Sequence, residues 1–207
     1  MNILIVAATE LEISPFMKTN KKADILITGI GVPATVFHLA KNLMKKKYDL
    51  VIQAGIGGTF TDSLNLGEVV LIKKDTFADL GISEKGNFKT LFEENFIKKN
   101  DFPYQDGWLV NHTIGLDKNT LPWVNSVTVN TITDNPIQIK NIQQQFSAQV
   151  ESMEGAAFHY VCIEQKTIFL QMRSISNIVG ERDKTKWKIE NSIENLNIEL
   201  FKFIKSL

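Results

Sequence analysis

Six short runs of β-forming residues, at Asn2–Ala8, Asp24–Thr28, Leu50–Ala54, Glu68–Lys73, Ser126–Thr131 and Thr167–Arg173, recur along this chain with helix-like stretches between them. Apolar runs this short, bounded by turn residues, read as strands rather than helices. Their alternation with helices restricts the architecture to an α/β sheet, because crossover helices must pack on a sheet face and come to cover both faces. At 207 residues and 43% hydrophobic content the chain can bury a full core, and with no repeat, low-complexity stretch or linker it reads as one domain over residues 1–207.

Two helices are well marked. After Gly29-Ile30-Gly31, Pro33 suits a first helical turn, Val36, Leu39, Ala40 and Leu43 form an apolar stripe, and Lys45 to Lys47 complement the C-terminal dipole. At the far end Ile189, Ile193, Leu196, Leu200, Phe203 and Leu207 recur every third or fourth residue and predict a terminal helix. The polar segment from Lys98 to Gly107, which contains Phe102-Pro103-Tyr104, reads as a mobile loop.

Charge and cysteine usage exclude several classes. The 23 basic and 23 acidic residues cancel, which argues against nucleic acid and anionic membrane as partners, since both need excess positive charge. The single Cys162 offers no disulfide framework and indicates a reducing compartment. The N-terminus begins at once with a strand-like run, without the basic and apolar regions of a leader, and no run reaches membrane-spanning length, so a cytoplasmic protein is expected. His38, His112 and His159 match no zinc spacing, so neither metal nor cofactor is expected.

The stretch from Val150 to Phe158, VESMEGAAF, sets Glu154 among small and apolar residues. A buried carboxylate needs a partner, and a sugar cis-diol suits one, because an ionised carboxylate only accepts hydrogen bonds. The alternative is that Ser152 caps a helix and Glu154 lies in its first turn. Two segments favour the ligand. Glu10 and Glu12 follow the first strand, and the carboxyl ends of strands are where open α/β sheets bind ligands. Arg173 and Arg182, the chain's two arginines against twenty-one lysines, both follow the last strand run; arginine's rigid donor fork suits a fixed anionic partner.

Two glycine motifs are less specific. Gly29 to Ala34, GIGVPA, formally matches a dinucleotide fingerprint, but the following strand ends in Gln53-Ala54 where a ribose-binding acid should stand. Ala54 to Phe60, AGIGGTF, reads as a glycine-rich turn whose Gly55, Gly57 and Gly58 could turn N–H groups toward an anion or a nucleophile.

In this order, the strand followed by E-x-E, the GIG, the Gly-Gly turn, M-E-G-A-A and R-x-I-S resemble the purine nucleoside phosphorylase and nucleosidase superfamily over almost the whole chain. Within it TELE, SMEGAAF and SNIVGERDKTKW are similar to the futalosine hydrolases, the nucleosidases of one menaquinone pathway. The resemblance implies a three-layer αβα sandwich around a mixed, twisted sheet and a small nucleoside as substrate. It implies a homodimer whose neighbouring subunit covers the substrate's 5′ end with an apolar loop, best matched by Phe102 to Tyr104. Glu12 would be the base that activates water, Arg173 its neighbour, and Glu154 with Met153 the ribose site. Asn177 and Thr131 would lie at the purine. Adenine-specific relatives carry aspartate where this chain has Asn177; an amide donates and accepts at once and suits a 6-oxopurine such as hypoxanthine. Arg182 is the cation expected for a carboxylate on the 5′ group, with Lys184 and Lys186 as alternates and an ion pair to Glu181 or Asp183 as the competing account. Phosphorylases of the superfamily also hold phosphate with an arginine just upstream of the Gly-Gly turn. Here Tyr48 to Gln53 contains none, which favours water as nucleophile.

Overall fold

The computed structural model describes residues 1–19, 22–113 and 121–207. In chain order it contains β1 (Ile3–Ala7), α1 (Glu10–Thr19), β2 (Ala23–Ile27), α2 (Val32–Lys45), β3 (Leu50–Thr59), β4 (Val69–Asp75) and the hairpin β5 (Gly81–Glu84) with β6 (Asn87–Thr90). Then follow β7 (Leu109–Val110), β8 (Trp123–Thr128), α3 (Pro136–Phe146), β9 (Val150–Ser152), α4 (Gly155–Glu164), β10 (Phe169–Ile178), a short 3₁₀ turn at Lys184–Lys186 and α5 (Ile189–Ser206).

β1 shows how the layers arise. Its side chains alternate, as those of any strand must. Ile3, Ile5 and Ala7 join Ile13 and Phe16 of α1 and Leu196, Leu200 and Phe203 of α5 on one face. Leu4 and Val6 join Leu39 and Leu43 of α2 and Phe158, Val161 and Cys162 of α4 on the other. A strand apolar at every position therefore has to lie between two helical layers, the arrangement read from the alternation of elements. No helix among the described residues is long and apolar enough to cross a membrane.

The sheet is mixed and curls back on itself. β2, β1, β3 and β10 run parallel; β4 is antiparallel to β10, β8 is parallel to β4, and β9 is parallel to β8. β9 then meets the far end of β3, pairing Gly58 with Glu151 and Thr59 with Val150. One long strand thus borders β1 with its first half and β9 with its last residues. This corrects the expected turn at Gly55, Gly57 and Gly58: these residues lie inside β3, which pairs with β10 from Val51 to Thr59. β10 likewise continues to Ile178, past the predicted end at Arg173. Glycine reads as a turn residue locally, but the ladder to β10 runs through this segment and holds it extended, with β9 joining on the other edge at Gly58.

One side chain ties the two helices of the first face together. Asn197 of α5 is buried; its Nδ2 donates to the Glu12 carbonyl at 2.9 Å and its Oδ1 accepts the Phe16 N–H at 3.0 Å. Those backbone groups flank Pro15, which has no N–H of its own to contribute to α1. Asn197 thereby sets the axial position of Glu12. Replacing Asn197 with Ala leaves these groups without that partner, and we expect a loss of about 2–4 kcal/mol in denaturant unfolding, at roughly 1–3 kcal/mol per unsatisfied buried group. An unchanged midpoint would show that α1 is held by apolar packing alone.

Candidate active site

A cleft of about 300 Å³ opens where β1, β3 and β10 end, bordered by Met153 and Glu154 from the turn before α4. It lies at the carboxyl ends of parallel strands, where α/β sheets bind ligands, and its volume is at the low end of small-molecule sites. Three carboxyl groups line it, from Glu12, Glu151 and Glu154, and no lysine or arginine does among the described residues.

Glu12 is fixed before any ligand arrives. Its Oε2 accepts the Thr9 N–H at 3.0 Å and the Thr9 hydroxyl at 3.1 Å, and its Oε1 accepts the Ile56 N–H at 3.1 Å. Thr9 precedes α1 and Glu12 stands three residues later, so the reach back to the Thr9 N–H is that of a capping box. The Thr-x-x-Glu signature was present in the sequence as a helix start; read as a strand end, it placed Glu12 at the site but not in its helix. Glu10, its neighbour in the motif, is exposed.

Arg173 is 1% exposed behind the cleft. Its Nη2 donates to Gln53 Oε1 at 3.0 Å and its Nη1 to the Ile56 carbonyl at 3.3 Å, while Nη1 lies 3.7 Å from Glu154 Oε2. The ion pair is thus with Glu154. Gly55 makes this possible: a Cβ there would run into the guanidinium and lie 2.8 Å from Glu12 Oε1. Position 55 thus has no room for a side chain with Arg173 and Glu12 where they stand.

Glu154 occupies the N-cap position of α4 but makes no side-chain cap bond. Instead its Oε1 accepts the Gly31 N–H at 3.0 Å, so the GIG segment serves this carboxylate. Burial pushes the Glu154 carboxyl above the ordinary range, and Arg173 and the Gly31 N–H pull it back. Ser152 Oγ accepts the Gly155 N–H at 3.2 Å, as the capping alternative supposed, leaving Glu154 to face the cleft. Gly155 itself admits no Cβ, because buried Asp75 and Gln171 occupy that space.

The other end of the cleft is built on Gly57 and Gly58. Asn177 lies over Gly58, with its Nδ2 3.2 Å from where a Cβ would stand. Its amide accepts the Ser176 hydroxyl at 2.8 Å and donates to the Ile178 carbonyl at 3.0 Å. Glu151, which the sequence reading passed over although it belongs to the VESMEG motif, stands on the opposite side of Gly58.

Several expected residues lie elsewhere. Thr131 is exposed and its N–H donates to Asp79 at 3.2 Å; it borders a separate groove between the β5–β6 hairpin and α3, and its neighbour Ile132 reaches the cleft instead. Phe102, expected at a neighbouring subunit's substrate and not at this cleft, is exposed. Pro103 is buried, and Tyr104 is 8% exposed and packs on Phe92 and Tyr160 of its own chain. The segment read as a mobile loop is held by bonds such as Gly107 N–H to the Lys99 carbonyl at 2.7 Å. Arg182 stacks over Trp187 at 5.9 Å, Trp187 lines the cleft, and Glu181 pairs with Lys186. No metal-binding group of His, Cys, Asp or Glu occurs among the described residues. His159 is fully buried with its Nδ1 against the Leu109 carbonyl, and burial lowers it to about 4.

Gly55 is the sharpest test of this geometry. Gly55→Ala should separate Arg173 from Glu154 and displace Glu12, so we expect turnover to fall at least about a hundredfold, the scale of a lost general base. Turnover within a few-fold of the parent enzyme would show that the two side chains move aside freely.

A futalosine hydrolase of Thermus thermophilus is 28% identical over 208 residues, covering 93% of this chain and 91% of that protein. A 5′-methylthioadenosine/S-adenosylhomocysteine nucleosidase of Tolumonas auensis is 23% identical, covering 89% of this chain and 82% of its own. Among solved structures, the native futalosine hydrolase of Helicobacter pylori superposes with a TM-score of 0.83 at 15% identity, over 100% of this chain and 98% of that one. Residues 12–207 match the family model of the phosphorylase superfamily, which contains the site from Glu12 to Asn177, and the chain belongs to that superfamily.

Proposed function

We propose that the protein hydrolyses the N-glycosidic bond of futalosine and releases hypoxanthine. The observation that carries this reading is one floor, Ile56 to Gly58, with a carboxylate fixed at one end by three hydrogen bonds, Glu12, and an amide at the other, Asn177. Breaking the bond builds positive charge on the sugar and negative charge on the purine, so a catalyst must act at both ends. Glu12 orients a water, takes its proton and faces the cationic sugar. Glu154, with Met153 beside it, accepts the ribose hydroxyls; the Arg173 charge favours the ionised form of Glu154 against its burial and holds it in place. Asn177 donates to purine N7 and accepts from the protonated edge of a 6-oxopurine.

Electrostatics supports water over phosphate. The cleft is lined by carboxylates, and the buried cation behind it is engaged with Glu154, Gln53 and the Ile56 carbonyl. An incoming phosphate would meet repulsion without countercharge. Leu11, Trp187, Ile189 and Ile193 form an apolar wall suited to futalosine's aromatic 5′ group, and Arg182 over Trp187 offers its carboxylate a cation. The futalosine hydrolases among the relatives support the substrate. The reading treats residues 1–207 as one nucleosidase unit acting as a homodimer, with exposed Phe102 available to a second subunit.

The enzyme should release hypoxanthine from futalosine at the same rate with and without phosphate, and Glu12→Gln should lower kcat at least about a hundredfold while leaving binding nearly intact. A phosphate requirement, or faster release of adenine from methylthioadenosine, would overturn the reading. Asn177→Asp should shift preference from 6-oxo- toward 6-aminopurine nucleosides, because a carboxylate repels O6 and a carboxylic acid protonates N7. An unchanged ratio of hypoxanthine to adenine release would remove Asn177 from the purine end.

A further inference from the structure

The chemistry above leaves the departing purine without a proton donor, since an amide such as Asn177 cannot act as an acid. It also leaves a third cleft carboxyl without a task. Glu151 of β9 is directly opposite Gly58 of β3, and Asn177 of β10 is opposite the same glycine on the other edge. Residues so paired project to one face of a sheet, and strands lie about 4.8 Å apart. Gly58 carries no side chain of its own; Asn177 and Val179 close over it from one edge, and Glu151 stands at the other, on the cleft that Asn177 also lines. Glu151 is 8% exposed, and its Oε2 is buried without a hydrogen-bond partner. Buried polar groups are normally paired, so this oxygen lacks a structural explanation, in a residue that borders the cleft.

We propose that Glu151 is the general acid of this site, delivering its carboxyl proton to a ring nitrogen of the purine across Gly58 from Asn177. This rests on the function proposed above. As the carbon–nitrogen bond breaks, its electron pair leaves with the purine and the Glu151 proton joins the base. The water oxygen bonds to the anomeric carbon and its proton passes to Glu12. Solvent then carries that proton back to Glu151, so one water is consumed and one neutral purine released.

The surroundings favour the protonated form. β3 and β8, which flank β9, carry no titratable side chain. The charged group nearest in effect is Asp79, whose carboxylate holds the Asn130 and Thr131 N–H groups; Glu12 and Glu154 lie on the same cleft, with Arg173 behind. Burial first, and the Asp79 charge second, raise the Glu151 carboxyl to about 7, near the operating pH at which an acid works best. Because the protonated form is the active one, the rate should decline as pH rises through that value.

Glu151→Gln keeps the shape and removes the acid. The test compares kcat of both proteins on futalosine and on futalosine methylated at purine N7, whose base departs neutral and needs no proton. The expected result is a loss of at least about a hundredfold on futalosine, disappearance of the alkaline decline, and a change of less than about threefold on the methylated substrate. Equal losses on both substrates would show a structural role and overturn the proposal. So would no loss on futalosine, or a parent rate that rises through neutral pH, as for a carboxylate that only accepts the purine N–H. A parent enzyme that releases no hypoxanthine from futalosine would instead overturn the underlying function, and this proposal with it.

Discussion

The buried contact between Arg173 and Glu154 is the constraint around which the site is arranged. Removing two charges from water costs several kcal/mol per ion, and mutual attraction offsets this only when further hydrogen bonds are satisfied. Here Gln53 and the Ile56 carbonyl take the guanidinium, and the Gly31 N–H takes the carboxylate. The pair and its partners come from β10, β3, the loop before α2 and the N-terminus of α4, so the ion pair requires four elements to converge at the carboxyl ends of the strands. Asp75 reinforces the same point: it accepts the Thr128 hydroxyl at 2.9 Å, while Thr128 Oγ1 accepts the Ala156 N–H at 2.7 Å, anchoring the first turn of α4 beside Glu154. Burial raises Asp75 to about 6, with Arg173 opposing the shift, so the cluster is electrostatically shared beyond its first pair.

The glycines of β3 do complementary work. Each clears space for a different neighbour: Gly55 for Arg173 and Glu12, Gly57 for the Glu151 carbonyl, which an added Cβ would approach to 2.9 Å, and Gly58 for Val179 and Asn177. With glycine at three of the four positions from Gly55 to Gly58, β3 brings its backbone up to the cleft, and functional groups are supplied from the strands and helices beside it. Glycine weakens a strand interior, and here the ladders to β10, β1 and β9 compensate. Such local concessions are usual at functional sites.

Much of the architecture was legible beforehand because burial leaves a periodic trace. The all-apolar β1, the stripe of α2 and the stripe of α5 each name their buried faces, and the observed core uses Leu39, Leu43, Leu196, Leu200 and Phe203 accordingly. Glu12, Met153, Glu154 and Asn177, drawn from three distant segments, do line one cleft. Thr131 does not, because a motif places a segment but not the direction of each side chain along it.

The sequence by itself determined the alternation of strands and helices, the apolar faces of β1, α2 and α5, and the absence of an acid at position 177, since these depend on residue type and local period. Only the tertiary structure decided that the glycine-rich segment is a strand and not a turn, that Asn197 governs the placement of Glu12 from 185 residues away, and that Glu151 faces Asn177 across Gly58. Each of these rests on pairing between segments far apart in the chain. Local propensity carries no record of such partners, and register between strands is set by what the whole sheet must bury.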